Sequence, residues 1–134
     1  MTPETARVLR FHNEPCRFFH DRAVHEALMA DPGGWLDHMD TALRALARGE
    51  WSLELPPKQV FVDPDDHSDF RVMPCVVRGP EGVHKTVKVV GTNGPRRVVP
   101  DQLTVGRALA LHPEENFVTA VFDACALSSA RTGA

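Results

Sequence analysis

The sequence changes character at Leu55-Pro56-Pro57, and this change constrains the fold more than any other feature. Before it, apolar residues recur at helical spacing. After it, short segments rich in Val and Phe alternate with turn residues. Helices and strands therefore occupy successive parts of the chain, which predicts an α+β domain.

Two helices are predicted before this point. The first covers Phe18–Ala30 and should be closed by the breaker cluster Asp31-Pro32-Gly33-Gly34. The second runs from Trp35 to Arg48, with Gly49 as its left-handed stop. Its apolar residues share one face of a 3.6-residue period, namely Trp35, Met39, Ala42, Leu43 and Leu46.

Five strands are predicted after it. They are Lys58–Val62, Asp69–Arg78, His84–Val90, Leu103–Leu111 and Phe117–Asp123. Pro74 has no N–H to give to a ladder, so its strand should be at a sheet edge or bulged there. The expected architecture is two N-terminal helices followed by a mostly antiparallel, strongly curved sheet, all in one domain spanning residues 1–134.

Composition excludes several classes of function. The net charge of −3 shows no clustered basic excess, which argues against nucleic-acid binding. No apolar run is long enough to cross a membrane, and Met1–Arg10 lacks a signal-peptide core, so we expect a cytoplasmic protein. The histidines never take i, i+4 spacing and none lies at metal-finger spacing from a cysteine, so no metal site is expected.

Two basic residues stand in unusual positions. Lys88 lies within Val87-Lys88-Val89-Val90, a strand otherwise fit for burial, so it must either reach outward or pair with an anion. Arg131 is predicted at a strand-to-helix turn, in a helix opened by Leu127–Ala134. A cation near a helix start is unfavourable, so Arg131 is either a surface residue or a ligand for a carboxylate. Lys58, which follows Pro56-Pro57, is uninformative by itself.

Two segments carry a family resemblance. Lys85-Thr86-Val87-Lys88-Val89-Val90-Gly91-Thr92-Asn93 and Leu127-Ser128-Ser129-Ala130-Arg131-Thr132-Gly133-Ala134 resemble the ornithine cyclodeaminase/μ-crystallin family. The spacing from Lys88 to Arg131, the Met73-Pro74 pair and the acidic Asp123 match the family pattern, and the likeness covers Trp35 to Ala134. It implies the N-terminal substrate-binding and dimerisation domain of an enzyme of amino-acid metabolism.

The resemblance also implies roles for five residues. Lys58, Lys88 and Arg131 would hold the α-carboxylate of an amino or imino acid, and Arg71 and Met73 would shape the pocket for its side chain. Lys58 replaces the commoner arginine, giving a point charge in place of a planar fork. Arg71 stands where members acting on ornithine carry an acidic residue, so it should repel a diamino acid and favour an acidic or neutral side chain. The alternative for Arg71 is a salt bridge to a neighbouring Asp or Glu.

The family's second half is not expected in this chain. In the family, the Arg-Thr turn leads into a dinucleotide-binding domain, whereas this sequence ends at Ala134 and contains no Gly-x-Gly-x-x-Gly. The resemblance therefore implies no catalytic residue in this chain, and NAD or NADP bound only through a partner Rossmann domain.

Three functions follow as expectations. The chain is one subunit of a split NAD(P)-dependent cyclodeaminase or dehydrogenase, a free-standing module that binds an amino or keto acid, or a truncated remnant. Val, Phe and Leu on both strand faces should leave one face uncovered. A homodimer or a complex with a Rossmann-domain protein is therefore expected.

Overall fold

The fold is α+β, as predicted. A computed structural model describes residues 15–94 and 103–133, and the predicted lack of a signal sequence at Met1–Arg10 lies outside them. The described residues form three helices and seven strands, which in chain order are β1 (Arg17–Phe19), α1 (Asp21–Ala30), α2 (Pro32–Ala47), β2 (Ser52–Glu54), β3 (Gln59–Val62), β4 (Asp69–Gly79), β5 (Gly82–Thr92), β6 (Thr104–Leu111), β7 (Val118–Asp123) and α3 (Ala124–Gly133).

The strands form one open sheet in the order β1-β7-β6-β5-β4-β2, with β3 also paired to β4. Every pairing is antiparallel apart from β1 with β7, which is parallel. The prediction of a mostly antiparallel sheet is therefore confirmed. The strand order places β5, the strand that carries Lys88, in the interior of the sheet between β4 and β6.

Pro74 lies where β4 has a ladder on one side only. Along its whole length β4 pairs with β5, but on the other side β3 pairs with Asp69–Val72 and β2 pairs with Val76–Arg78. Leu55–Lys58 crosses the gap between those two ladders and contains one residue more than the stretch of β4 it passes. The strand is thus locally an edge at Pro74, opposite a bulged connection that holds two further prolines.

The N-terminal helix is shorter than predicted. Phe18 and Phe19, which sequence analysis placed in that helix, belong to β1 and pair with Val121 and Phe122 of β7. The rings of Phe19 and Phe122 stack with centroids 5.1 Å apart. Pairing with a strand that is distant in the sequence overrides local helical spacing here.

The cluster predicted to close the first helix does so, since α1 ends at Ala30, and the same cluster begins α2 earlier than predicted. Pro32 is the first helical residue, where its missing N–H costs nothing. The Asp31 side chain accepts a hydrogen bond of 2.9 Å from the N–H of Gly34, satisfying one free donor of the first turn. The predicted stop is confirmed, since Gly49 follows the helix with a φ of 72°.

The sheet has two unlike faces. The covered face contains Lys88 with its lateral neighbours Met73 and Ala108, and α3 packs on this face. The open face is defined by Phe61, Phe70 and Val89, whose exposed fractions are 48%, 47% and 36%. Among the described residues the buried apolar ones are few and small: Val24, Ala45, Ala120 and Ala124. The core therefore lies between the covered face and the helices.

Candidate functional site

Lys88 points from the middle of the sheet towards a helix. Its side chain is half-buried, and its Nζ donates a hydrogen bond of 3.2 Å to the Ser128 hydroxyl of α3. Because β5 is an interior strand, Lys88 lies away from both edges of the sheet. Side chains alternate between the two faces along a strand, so Val87 and Val89 lie on the face opposite to Lys88.

Arg131 lies in the last described turn of α3, so the prediction of a strand-to-helix turn at this residue is wrong. Helix α3 begins at Ala124, directly after β7, and Asp123 caps it by accepting a hydrogen bond of 2.9 Å from the N–H of Cys125. No glycine or proline marks this junction, which is why the sequence did not reveal it. Arg131 follows Ser128 by three residues, which places both on one side of the helix.

Lys88 and Arg131 influence each other electrostatically. Burial lowers the pKa of Lys88, and repulsion by the positive charge of Arg131 lowers it further. Among residues 15–94 and 103–133, the ion pairs involve neither of these cations. Two neighbouring cations without a carboxylate favour an anionic ligand, which would neutralise both.

Met73 lies beside this group, directly opposite Lys88 on the neighbouring strand. Lys58 precedes β3, whose first paired residue, Gln59, lies opposite Val72. The Lys58 side chain is exposed, and no hydrogen bond within the described residues joins it to Lys88 or Arg131.

Arg71 shares the covered face with Lys88 and lies diagonally across from it. Such diagonal neighbours have side chains about 7–8 Å apart. Arg71 donates a hydrogen bond of 2.6 Å from Nη2 to Oδ2 of Asp69, the ion pair considered as its alternative role. The exposed fractions of the two side chains are 38% and 14%. The Nε of Arg71 and the Oδ1 of Asp69 are buried without hydrogen-bond partners, so this pair is made through a single contact.

The structure also contains two open clefts that sequence analysis did not anticipate. One of about 1,130 Å³ lies at the end of the sheet and includes Phe61, Phe70 and Arg107 in its lining. The other, of about 600 Å³, lies between the three helices. Neither is lined by Lys88 or Arg131. Arg107 in the larger cleft is already neutralised by Asp123.

Ser128 is the site residue that sequence analysis missed. It accepts the hydrogen bond from Lys88, and its backbone carbonyl accepts one of 2.7 Å from the Thr132 hydroxyl. Its position three residues before Arg131 would have indicated it, had the start of α3 been recognised. We refer to Lys88, Ser128 and Arg131 as the cation cluster.

Other ligand classes find less support. Across residues 15–94 and 103–133, no group of three or more His, Cys, Asp or Glu side chains could hold a metal ion. None of the described helices is long and apolar enough to cross a membrane. Within the described residues, β7 runs into α3 through Asp123-Ala124 without a glycine-rich turn of the kind that admits a pyrophosphate.

Comparison with known proteins shows the fold alone. No protein-family model matches the sequence, and no curated protein sequence matches it significantly. Several solved structures match in shape. An archaeal alanine dehydrogenase dimer with bound NAD has a TM-score of 0.63 and 24% identity, over 88% of this chain and 34% of that one.

Two further structures agree. The crystal structure of CmnK has a TM-score of 0.67 and 18% identity, over 84% of this chain and 34% of that one. The Δ1-pyrroline-2-carboxylate reductase of Thermococcus litoralis, in complex with NADH and L-proline, has a TM-score of 0.65 and 18% identity, over 87% of this chain and 34% of that one. The chain therefore spans about a third of the length of each and shares the fold of that part. The resemblance to the cyclodeaminase family is supported at the level of the fold.

Proposed function

We propose that this chain is the substrate-binding part of an NAD(P)-dependent enzyme of the ornithine cyclodeaminase and amino-acid dehydrogenase type. It binds the α-carboxylate of an amino or imino acid, and a separate Rossmann polypeptide supplies hydride transfer. The observation that carries the proposal is the cation cluster, in which Lys88 and Arg131 have no carboxylate partner among the described residues.

The chemistry of the cluster suits a carboxylate. The planar guanidinium of Arg131 can make two parallel hydrogen bonds to its oxygens, and the ammonium of Lys88 adds a third donor. Lys58 would supply a further positive charge from the neighbouring strand. These contacts would neutralise the ligand and fix its orientation, which is the part of the reaction that this chain's own residues perform.

Met73 and Arg71 would determine which side chain is accepted. Met73 offers an apolar and adaptable surface next to Lys88. Arg71 is tied to Asp69, yet it stays within reach of a ligand side chain lying along the covered face. A positively charged ligand side chain would meet the guanidinium, so the proposed substrate carries an acidic or neutral one.

The ligands bound in two of the solved structures support the proposed role. The archaeal alanine dehydrogenase was solved with NAD, and the pyrroline-2-carboxylate reductase was solved with NADH and the amino acid L-proline. Both of these proteins contain a region folded like this chain. We extend to this chain the role of binding an amino acid, and not that of binding the dinucleotide.

The proposal includes an assembly. Phe61, Phe70 and Val89 leave the open face with a band of exposed apolar side chains. Large exposed apolar patches on globular proteins usually mark interfaces. We propose that this face is covered either by a second copy of the chain or by a Rossmann-domain partner.

A titration tests the proposal. Calorimetry on the full chain with an L-amino acid or a 2-oxo acid should show binding, and Lys88→Ala should weaken it by about 2–5 kcal/mol. Lys85→Ala is the matched control, because Lys85 lies on the same strand but bonds Asn116. Equal affinities for the wild type and Lys88→Ala would remove the cation cluster from the site.

A second candidate is a free-standing module that binds an amino or keto acid. The two candidates differ in one measurement. If a Rossmann-domain protein added to the chain yields amino-acid-dependent reduction of NAD or NADP, the chain is the substrate-binding part of an enzyme, whereas binding without any such activity favours the module.

A further inference from the structure

We propose that Lys88 also acts as a nucleophile, forming a reversible Schiff base with a 2-oxo acid whose carboxylate is seated on Arg131. This inference rests on the proposed function, since it uses the same carboxylate site. It adds a covalent step that the binding role alone does not require.

The surroundings of the Lys88 amine are those of a reactive lysine. The half-buried side chain stands between Met73 and Ala108, which are apolar, and its one hydrogen bond goes to the Ser128 hydroxyl. No carboxylate among the described residues forms an ion pair with it. A lysine becomes nucleophilic when it is desolvated or lies beside another cation, and Lys88 meets both conditions.

The charged groups on this side of the sheet include one carboxylate. Arg131 acts on Lys88 from α3. Arg71 lies diagonally across on β4 with its charge offset by Asp69, and Lys58 precedes β3. Burial and the charge of Arg131 lower the pKa of Lys88, which raises the fraction of neutral amine near neutral pH.

The ligand geometry brings the reacting atoms together. In a 2-oxo acid the carbonyl carbon is bonded directly to the carboxylate. A carboxylate held by Arg131 beside Lys88 therefore places that carbon within reach of Nζ. Holding the two groups side by side makes the attack effectively unimolecular.

The step balances without an oxidant or a reductant. The Nζ lone pair forms the C–N bond while the carbonyl π electrons move to oxygen, which takes up one proton from the amine. The resulting hydroxyl receives a second proton from the Ser128 hydroxyl, itself resupplied by solvent, and leaves as water. The product is a protonated imine between Lys88 and the acid, and added water reverses it.

Chemical trapping tests the proposal. The full chain is incubated with pyruvate and sodium cyanoborohydride, which reduces the imine to a stable amine, and the modified residues are mapped by mass spectrometry. Lys58, Lys85 and Lys88 are the three lysines of the sequence, so the assignment is direct. Labelling of Lys88 should be at least about tenfold faster than labelling of Lys58 or Lys85.

Two variants separate the covalent step from binding. Lys88→Arg removes the primary amine, so it should lose the adduct, and calorimetry on the same variant measures its pyruvate binding separately. Ser128→Ala should slow the labelling by about tenfold or more, because it removes the proton donor. Lys85→Arg, three residues away on β5, should label Lys88 at the wild-type rate.

The outcomes distinguish this inference from the proposed function. Pyruvate binding that depends on Lys88, but with equal labelling of all three lysines or none, would overturn the Schiff base and leave the carboxylate site intact. Absence of any binding of pyruvate or amino acids would overturn both. Selective labelling of Lys88 that L-alanine suppresses by competition would establish both.

Discussion

Lys88 on β5 donates a 3.2 Å hydrogen bond to Ser128 on α3, a contact between residues 40 positions apart in the sequence. It fixes which side of α3 meets the covered face. Because Arg131 follows Ser128 by three residues, the same contact brings Arg131 to Lys88. The interior strand β5 and helix α3 thus bring together two cations that lie far apart in the sequence.

Ligand preference should follow from Arg71. Ornithine or lysine should bind more weakly than glutamate or an amino acid with an apolar side chain, since their ammonium groups would meet the Arg71 guanidinium. Asp69→Asn removes the charge that now offsets Arg71, so it should strengthen glutamate binding by roughly tenfold relative to ornithine. Competitive calorimetric titration measures both ratios.

The control for this change lies elsewhere on the same sheet. Glu54 forms an exposed pair with Arg78 at 3.0 Å, so Glu54→Gln makes the matched substitution away from the cation cluster and should leave both ratios unchanged. Tighter binding of ornithine than of glutamate by the wild type would show that Arg71 does not face the ligand.

The close approach of α3 to the sheet depends on Gly106 of β6. A Cβ at this residue would lie 2.9 Å from the carbonyl oxygen of Val89 and 3.4 Å from the Cβ of Ala124. Gly106→Ala should therefore lower the free energy of unfolding by about 1–3 kcal/mol, measured by urea denaturation. Gly133→Ala is the control, since nothing lies within 4 Å of a Cβ there. Equal stabilities of the two variants would show that the neighbours of residue 106, the Val89 carbonyl foremost, can move aside for a methyl group.

The strands were largely predictable from the sequence because their signal is local. Alternating Val and Phe residues and flanking turn residues predicted Asp69–Arg78, and β4 covers Asp69–Gly79. The two short strands β1 and β2 were not predicted, because three residues are too few to show alternation. Their partners are also remote in sequence, as with Phe18 and Val121.

The candidate site was predictable in part. A lysine within an apolar strand drew attention to Lys88, and family resemblance linked it to Arg131. The contribution of Ser128 depends on a helix that starts at Ala124, and no turn residue announces that start. Whether Arg71 pairs with Asp69 depends on side-chain rotamers, which the sequence does not specify. From the sequence, the ion pair and the ligand-binding role were therefore both possible.

Assembly should depend on the open face. The purified chain should be a dimer by light scattering, or should form a complex with a Rossmann-domain protein. The rings of Phe70 and Phe61 stack at 4.6 Å on this face. Phe70→Glu would place a charge in the interface and should raise the dissociation constant by about a hundredfold.

A helix substitution controls for the added charge. Leu43 on α2 is 60% exposed and lies away from the sheet, so Leu43→Glu should leave assembly unchanged. A wild-type chain that is a monodisperse monomer at micromolar concentration, folded by circular dichroism and unable to bind a hydrophobic dye, would contradict both forms of the prediction.

Stability should depend on pH through Lys88. Its pKa is lowered in the folded chain from the ordinary 10.5, so between the two values the unfolded chain binds more protons. The contribution of Lys88 to the free energy of unfolding of the wild type therefore rises with pH between these two pKa values. Below both values the charged lysine destabilises the folded chain to its full extent. Lys88→Met should be the more stable protein at neutral pH, with an advantage that shrinks as the pH approaches 10.5.

Urea denaturation of both proteins at neutral and alkaline pH measures this change. Lys85→Met is the control, because Lys85 is held by the side chain of Asn116 on the surface and is not part of the cation cluster. If the stability difference between wild type and Lys88→Met is the same at all pH values, burial and Arg131 do not lower the pKa of Lys88.

A crystal structure of the chain with a bound L-amino acid tests the central claim most directly. An amino acid cannot condense with Lys88, so it reports the carboxylate site alone. Its carboxylate oxygens should lie within about 2.7–3.2 Å of both Lys88 Nζ and the Arg131 guanidinium. An amino acid bound instead in the cleft lined by Phe61 and Arg107, with Lys88 directed to solvent, would contradict it.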